Sequence, residues 1–409
     1  MNEAAVKAFI ESAGIGPSGM DAELFINSFM SEMQKGVEQK DSSLPMIPTY
    51  VSCDRKLPLN QYAVAIDAGG TNFRTALLKF TEAGASIEQF TSYPMPGTRG
   101  RVTWNEFIGF AADCIRPLMR YTDRIGICIS FPMHITPERD GIICRLTKEV
   151  DIEGFEGRPV CKDLLEALGV DGAQAMLLND TTAVLLSGLA GSASHDELIG
   201  LINGTGTNTC CILPCTGTGT DEVNMIVDIE SGGFIPPQRS EIDLLLDRNT
   251  SAPGIYPEEK LVSGAYLGEI CRLSFLAAAN EGLFGDACRD TLAKLSVFST
   301  PQADSCANGE MSDIFCKDDI HTAGMICRAV FERAAKHIAC TLTAIMHYTG
   351  CKAGSRVLVS ADGSVFRKSR IFRSALERYV SEYASGLTVE YTETENSTII
   401  GTAIGALIN

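Results

Sequence analysis

The sequence predicts an α/β protein of two similarly built domains facing each other across a cleft, and three observations lead there. The order strand, glycine loop, strand, strand, then helices occurs twice along the chain. At 409 residues the chain exceeds what a single core comfortably serves. Finally, its two glycine loops are alike: Asp67-Ala68-Gly69-Gly70-Thr71-Asn72-Phe73-Arg74 and Asn203-Gly204-Thr205-Gly206-Thr207-Asn208, each after a short apolar run.

The elements follow in order. Residues Asn2 to Lys40 read as helix, with Ala8, Phe9, Phe25, Phe29 and Met33 as its apolar residues. Asp41 to Asn60 is polar and carries Pro45, Pro48 and Pro58, which suits an extended connection. Tyr62–Ile66, Phe73–Phe80 and Ser86–Ser92 read as strands around the first loop. Thr103 and Glu106 form a capping box before a helix that Pro117 should end or kink. Arg124–Phe131 reads as a strand and Lys162–Leu168 as a short helix; Met176–Leu178 leads into Asn179-Asp180-Thr181 and an apolar helix.

The second set comprises Leu198–Asn203, Thr209–Leu213 and Met225–Ile229. Pro257, Glu258 and Glu259 should start a long helix, because proline suits the first turn and acids favour the positive helix end. Another long helix runs from Ile320 to Thr349 and stops at Gly350. Arg356–Ser360 is a strand, Arg370–Tyr383 a helix, Leu387–Tyr391 a strand and Thr398–Leu407 a final apolar helix.

Composition narrows the function. A formal net charge of −17 argues against non-specific binding to nucleic acid or an anionic membrane. It also means that a polyanionic substrate must be held by local donors and a metal. Fifteen cysteines occur without a C-x-x-C pair, and no secretory leader is evident, so reduced thiols in a cytoplasm are expected. Cys210, Cys211 and Cys215 lie close in sequence, yet no histidine or spaced partner pair accompanies them; they read as packing residues. The five histidines are scattered and read as structural or surface residues. The uncharged stretch Leu198 to Thr220 is full of Gly, Thr, Asn and Pro, which suits no spanning helix.

Glycines let backbone N–H groups approach an anion, and threonines add donors. Two such loops with Asn-Asp-Thr between them suggest a nucleotide phosphate chain gripped from both sides. Taken singly, each loop reads better as an ordinary tight turn, and Asp180 better as a helix cap. No Walker A segment and no G-x-G-x-x-G after a strand is present, so P-loop and dinucleotide readings fit poorly.

Taken together, these motifs resemble the hexokinase family of sugar kinases. The first loop is similar to that family's Asp-x-Gly-Gly-Thr-Asn-Phe-Arg element and Ser130-Phe131-Pro132 to its Ser-Phe-Pro turn. Thr147-Lys148 with Gly154 and Gly157 resembles its sugar-binding segment, and Asn179-Asp180-Thr181 its Asn-Asp-Thr. Gly204 to Asn208 resembles the second phosphate loop, while Glu230 and Glu259 stand at its two sugar-binding glutamates. Asp362-Gly363-Ser364-Val365-Phe366 resembles its adenosine-side motif. The order of the motifs is the family's, from Asp67 to the C-terminus.

This resemblance implies two ribonuclease H-like domains around a deep cleft, as in actin-like ATPases. It assigns residues 1–60 and 180–395 to a large domain, and 61–179 and 396–409 to a small one. It implies transfer of the γ-phosphoryl group of Mg-ATP to the 6-hydroxyl of glucose or a related hexose. Asp180 would be the base, with Lys148 beside it. Ser130, Thr147, Lys148, Asn179, Asp180, Asn208, Glu230 and Glu259 would bind the sugar. Asp67 would hold Mg²⁺ through water, and Gly69, Gly70, Thr71, Asn72, Arg74, Gly204, Thr205, Gly206, Asp362, Gly363 and Ser364 would bind the nucleotide. Arg74 is open to a second use, as the ion-pair partner of a structural carboxylate. A cytoplasmic monomer or homodimer acting on a small molecule is implied, with no nucleic-acid or membrane partner.

Three departures fall beside the sugar site. Leu146 stands where the family has Trp, Ser231-Gly232-Gly233-Phe234-Ile235-Pro236 replaces Trp-Gly-Ala-Phe-Gly-Asp, and Ala252 replaces Asn before Pro253-Gly254. They leave the preferred hexose open. A non-catalytic sugar sensor on the same scaffold is the rival reading, opposed by the retained Asp67 and Asp180. The repressor-related glucokinases carry a Cys-rich zinc motif that is missing here, and a filament protein would leave Thr147-Lys148 and Asn179-Asp180 unexplained.

Overall fold

In the computed structural model, residues 3–52, 57–146, 150–190, 195–216, 222–310, 314–316 and 319–408 are described. Thr147 and Lys148, both expected in the site, lie outside them.

The N-terminal stretch is two helices, α1 (Glu3–Ser12) and α2 (Ala22–Val37), rather than one. Gly14, at φ +64°, and Pro17, which opens a 3₁₀ turn, separate them. The expected connection after α2 contains a strand, β1 (Ile47–Ser52). Next come β2 (Gln61–Ala68), β3 (Asn72–Thr81), β4 (Gly84–Pro94), β5 (Val102–Thr103) and α3 (Trp104–Ile115). The Thr103–Glu106 capping box of α3 forms with both of its hydrogen bonds, and Pro117 lies in the 3₁₀ turn that follows. The chain continues through β6 (Arg124–Ile129), β7 (Met133–Ile135), β8 (Gly141–Ile143), β9 (Ile152–Glu153), α4 (Val160–Leu168), β10 (Gln174–Leu178) and α5 (Asp180–Gly188).

The second half opens with β11 (Glu197–Asn203), β12 (Thr207–Thr216) and β13 (Glu222–Asp228), followed by α6 (Glu241–Asn249), α7 (Glu259–Val262), α8 (Leu267–Asn280), α9 (Asp286–Lys294) and α10 (Thr300–Ala307). It ends with α11 (Ile320–Tyr348), β14 (Arg356–Asp362), α12 (Ser364–Lys368), α13 (Arg370–Tyr383), β15 (Thr388–Thr392) and α14 (Ser397–Ile408). The long helix expected from Pro257 is α7 and α8 with a break between them. Ser263 is extended, at φ −93° and ψ 158°, and the Gly264 N–H donates to the carbonyl of Gly204 at 2.6 Å. A tertiary bond to the second loop thus overrides local helix preference. α6 and α10 start at capping boxes of Ser240 with Asp243 and Ser299 with Gln302, a signal the sequence does carry.

Two large sheets share one topology. In the first, β4, β3 and β2 pair antiparallel, then β6 and β10 follow β2 in parallel. In the second, β13, β12 and β11 pair antiparallel and β14 and β15 follow in parallel, with β1 added antiparallel to β13. Each set ends in a helix that crosses to the other sheet: α5, after β10, packs on β11 and β14, and α14, after β15, packs on β2 and β6. The two helices meet face to face, with Gly401 so close to Ala183 that an added Cβ would lie 1.7 Å from its carbonyl oxygen.

The apolar core falls into three parts. One joins α2, α8, α11 and α13 to the second sheet, one joins α3 and α4 to the first, and the third lies between the sheets around α5 and α14. α5 is buried on all sides from Thr181 to Gly188, which explains its lack of a polar face.

Candidate active site

Between the sheets lies a cleft of about 670 Å³, lined from both sides. The first-sheet side contributes Ser130, Phe131, Arg145, Asn179 and Asp180; the second contributes Thr205 to Asn208, Asp228, Glu230, Tyr256 and Glu259. Of the residues expected to bind sugar, every described one lines it.

Asp180 reaches the cleft because β10 ends there and α5 begins. The cap of α5 is Asn179, whose side chain accepts from the Thr181 N–H at 2.7 Å. Asp180 is therefore the first helical residue, and its carboxylate does not serve as the cap. The positive end of α5 favours an ionised carboxylate there. The same geometry engages one lone pair of the Asn179 side-chain oxygen and leaves its NH₂ group as the donor it can offer a ligand.

Four acids share the cleft: Asp180, Asp228, Glu230 and Glu259. Burial, with Asp180 and Glu259 nearby, pushes the Glu230 carboxyl up to about 7, while Arg145 opposes the shift. Burial and Glu230 push Asp228 well above the usual range. Glu230 sits in left-handed backbone, at φ 57°, a conformation that costs a non-glycine residue energy and clusters at functional sites. Asn208 knits this corner together: its Nδ2 donates to Asp228 Oδ1 at 2.8 Å, and its Oδ1 accepts from the Thr209 and Ser231 N–H groups at 2.7 and 3.2 Å. As a sugar ligand it keeps one N–H, having spent its acceptor on the protein.

Glu259 Oε2 accepts from the Thr207 N–H at 3.1 Å. Gly206 leaves room for that placement, because a Cβ there would lie 2.5 Å from Glu259 Oε2 and push the carboxylate aside.

The nucleotide loops are less uniform than expected. Gly69 donates its N–H to the Asn72 carbonyl at 3.0 Å, and Gly204 donates to Gly206 at 2.9 Å, so neither N–H is directed at a ligand. Gly204 is buried, whereas Thr205, Thr71 and Asn72 are exposed and Gly70 is buried. Asp362, half-buried, is also engaged by the protein: Ser397 donates to its Oδ2, Gly363 N–H to its Oδ1 at 2.6 Å, and Arg367 pairs with it at 2.8 Å. Its role is to fix the turn at Gly363, where φ is +111° and a Cβ would lie 2.3 Å from the Asn203 backbone. Ser364, exposed, opens α12.

Arg74 takes the structural alternative: its guanidinium meets Asp67 Oδ2 at 3.2 Å. Thr398 of α14 donates to the same oxygen at 3.2 Å. Burial raises the Asp67 carboxyl, against the pull of Arg74.

Two family descriptions, both Hexokinase, match residues 18–190 and 198–408. This chain belongs to the hexokinase family. It is 27% identical over 416 residues to human Hexokinase-2, covering 92% of this chain and 45% of that protein. It is 27% identical to the hexokinase of Kluyveromyces lactis, covering 84% of this chain and 78% of that one. The chain thus spans less than half the length of the human relative. A solved Schistosoma mansoni hexokinase, complexed with glucose, shares the fold over the full length of both chains, with a TM-score of 0.76 at 20% identity.

Three cleft residues of this hexokinase-family chain were missed by sequence reasoning. Asp228 ends β13 two positions before Glu230, and the left-handed turn at Glu230 brings both into the cleft, a turn that no local sequence signal announced. Arg145 and Tyr256 carried no local signal, since only the folding of two distant loops brings them together. Their guanidinium and ring centre lie 6.0 Å apart.

Proposed function

We propose that this chain transfers the γ-phosphoryl group of ATP to the 6-hydroxyl of a hexose, glucose being the first candidate. The observation that carries this reading is Asp180 at the first position of α5, uncommitted to the cap and aimed into a cleft lined by acids and amides. A carboxylate there accepts the proton of the attacking hydroxyl. Glu230, Glu259 and the remaining Asn208 N–H bind the sugar hydroxyls from one wall, with the Asn179 NH₂ group and Ser130 from the other. Thr147 and Lys148, outside the described residues, are assigned to sugar binding by the family motif alone. Thr71, Asn72, Gly70, Thr205, Gly206 and Ser364 face the nucleotide.

Asp67 suits Mg²⁺, because it is an acid that Arg74 and Thr398 hold by Oδ2 and that feels the negative charge of Asp180. When bound, the ion would neutralise phosphate charge. Asp67 would orient its water shell, and Arg74 would hold the Asp67 carboxylate in place.

We further propose that residues 1–60 with 180–395 and 61–179 with 396–409 move as two bodies, hinged where α5 and α14 cross, and close on sugar to exclude water. A small soluble sugar as the partner, a cytoplasmic location and a monomer or homodimer complete the reading; among the described residues no helix is long and apolar enough to cross a membrane. A coupled assay with Mg-ATP and glucose, mannose, fructose, glucosamine and N-acetylglucosamine tests it. Turnover of at least one hexose is expected, and turnover of none would overturn the reading.

A further inference from the structure

The cleft holds four acids, and among the described residues lining it only Arg145 and Lys260 are cationic. Lys260 is already committed, bound to Asp247 Oδ1 and, at 2.6 Å, to the carbonyl of Ala252. Asp247 also accepts from the Gly254 N–H at 3.0 Å. These bonds brace the loop between α6 and α7, which carries Tyr256 in left-handed backbone at φ 51°. Arg145 arrives from the other wall, just after β8, and is exposed. Its guanidinium lies 6.0 Å from the Tyr256 ring centre, so the two close the cleft from opposite sides.

We propose that Arg145 is a positioning residue for the sugar site, which keeps Glu230 available as an acceptor and, with Tyr256, forms the cross-cleft contact that seats the hexose. The proposal rests on the hexose-kinase reading above. The groups facing Glu230 are Asp228 on β13, Asp180 on α5, Glu259 on α7, and Arg145 with Tyr256 across the mouth. Burial, Asp180 and Glu259 favour the protonated form of Glu230, which has one fewer acceptor site for sugar hydroxyls. Arg145 opposes them. Burial and the charge of Glu230 also raise the Tyr256 phenol, against Arg145, so the ring presents a hydroxyl and a face rather than a phenolate. The strained backbone of Tyr256 and the brace beneath it make this placement specific to the fold.

The test compares wild type with Arg145→Gln, Arg145→Lys and Tyr256→Ala, using the hexose turned over by wild type across pH 5.5 to 9. For Arg145→Gln, the hexose KM at pH 7 should rise about tenfold, the loss expected for one charged contact. The acid limb of kcat/KM should move up by about half a pH unit or more, while kcat at saturating sugar recovers above pH 8. Arg145→Lys should restore the limb, because the charge returns. Tyr256→Ala should raise the hexose KM and leave the ATP KM within about twofold. An unmoved limb and KM in Arg145→Gln would overturn the proposal, as would a fall in kcat that is equal at every pH and that lysine does not rescue. A wild type that turns over no hexose would strike the functional reading instead.

Discussion

The two glycine loops begin from nearly the same residues and end in different structures. Both sit on antiparallel hairpins, β2–β3 and β11–β12, at equivalent places in equivalent sheets. The first keeps Thr71 and Asn72 exposed, with the Asn72 amide donating to Thr71 Oγ1 at 3.1 Å. The second is packed from two sides, by Gly264 through a backbone bond and by Gly363 through close approach. A shared motif therefore specifies a shared turn, while the neighbours decide how much of it faces the cleft. In the second loop Gly206 lies against Glu259 and Gly204 against Gly363.

The comparison can be broken first at the residue between the loops. Asp180→Asn should lower kcat by about a thousandfold, within the usual span for a general base. Calorimetric sugar binding and the thermal midpoint should persist, because Asn179 holds the cap. A variant that keeps wild-type turnover would remove Asp180 from the chemistry.

Gly401→Ala tests the crossing of α5 and α14. The Ala183 carbonyl must move to admit a Cβ, which should cost about 3 kcal/mol in chemical unfolding. An unchanged denaturation midpoint would mean that the helices are not held as described.

The loops themselves are sharpened by a pair of alanine variants. Gly206→Ala displaces Glu259 and should raise the hexose KM about tenfold, whereas Thr71→Ala should raise the ATP KM by a few-fold and spare the sugar. Steady-state kinetics with each substrate varied would show whether the assignments are crossed.

Titration of Glu230 gives two opposite slopes. Its ionised carboxyl offers more and stronger acceptor sites to a sugar than its protonated form, so sugar affinity should fall as pH drops through about 7. The folded pKa is raised above the ordinary 4.5. Between those values the folded state holds more protons than the unfolded one, so its contribution to stability is full below 4.5 and is lost as pH rises through 7. Glu197, raised by burial to about 7 away from the cleft, adds to the same stability slope. Denaturation at pH 5 and 8 with Glu230→Gln and Glu197→Gln separates the two.

The smallest expected effect is at the cap. Asn179→Ala should cost about 1 kcal/mol of stability, measured by urea denaturation, in addition to any loss of sugar binding.

Much of this was legible in the chain. The repeated strand order foretold both sheets because alternation and apolar runs are local, and Thr103 with Glu106 marked α3 for the same reason. The acids Asp180, Glu230 and Glu259 were found by residue type in motif and do share the cleft. What was illegible depended on distant partners. β1 forms where the chain looked like a linker because β13 offers an edge and Thr49 donates to the Ile226 carbonyl at 2.7 Å. The helix from Pro257 stops after Val262 because Gly264 is claimed by Gly204.

By itself, then, the sequence determined the two-fold α/β repeat, the glycine turns and the acids suited to phosphoryl transfer, since propensity, periodicity and side-chain chemistry are properties of short segments. Only the tertiary structure decided that Asn179 rather than Asp180 caps α5, that Arg74 pairs with Asp67, that Asp362 pairs with Arg367, and that Arg145 meets Tyr256 across the cleft. Each is a competition among donors and acceptors far apart in the chain, and packing alone sets which of them comes within hydrogen-bonding reach.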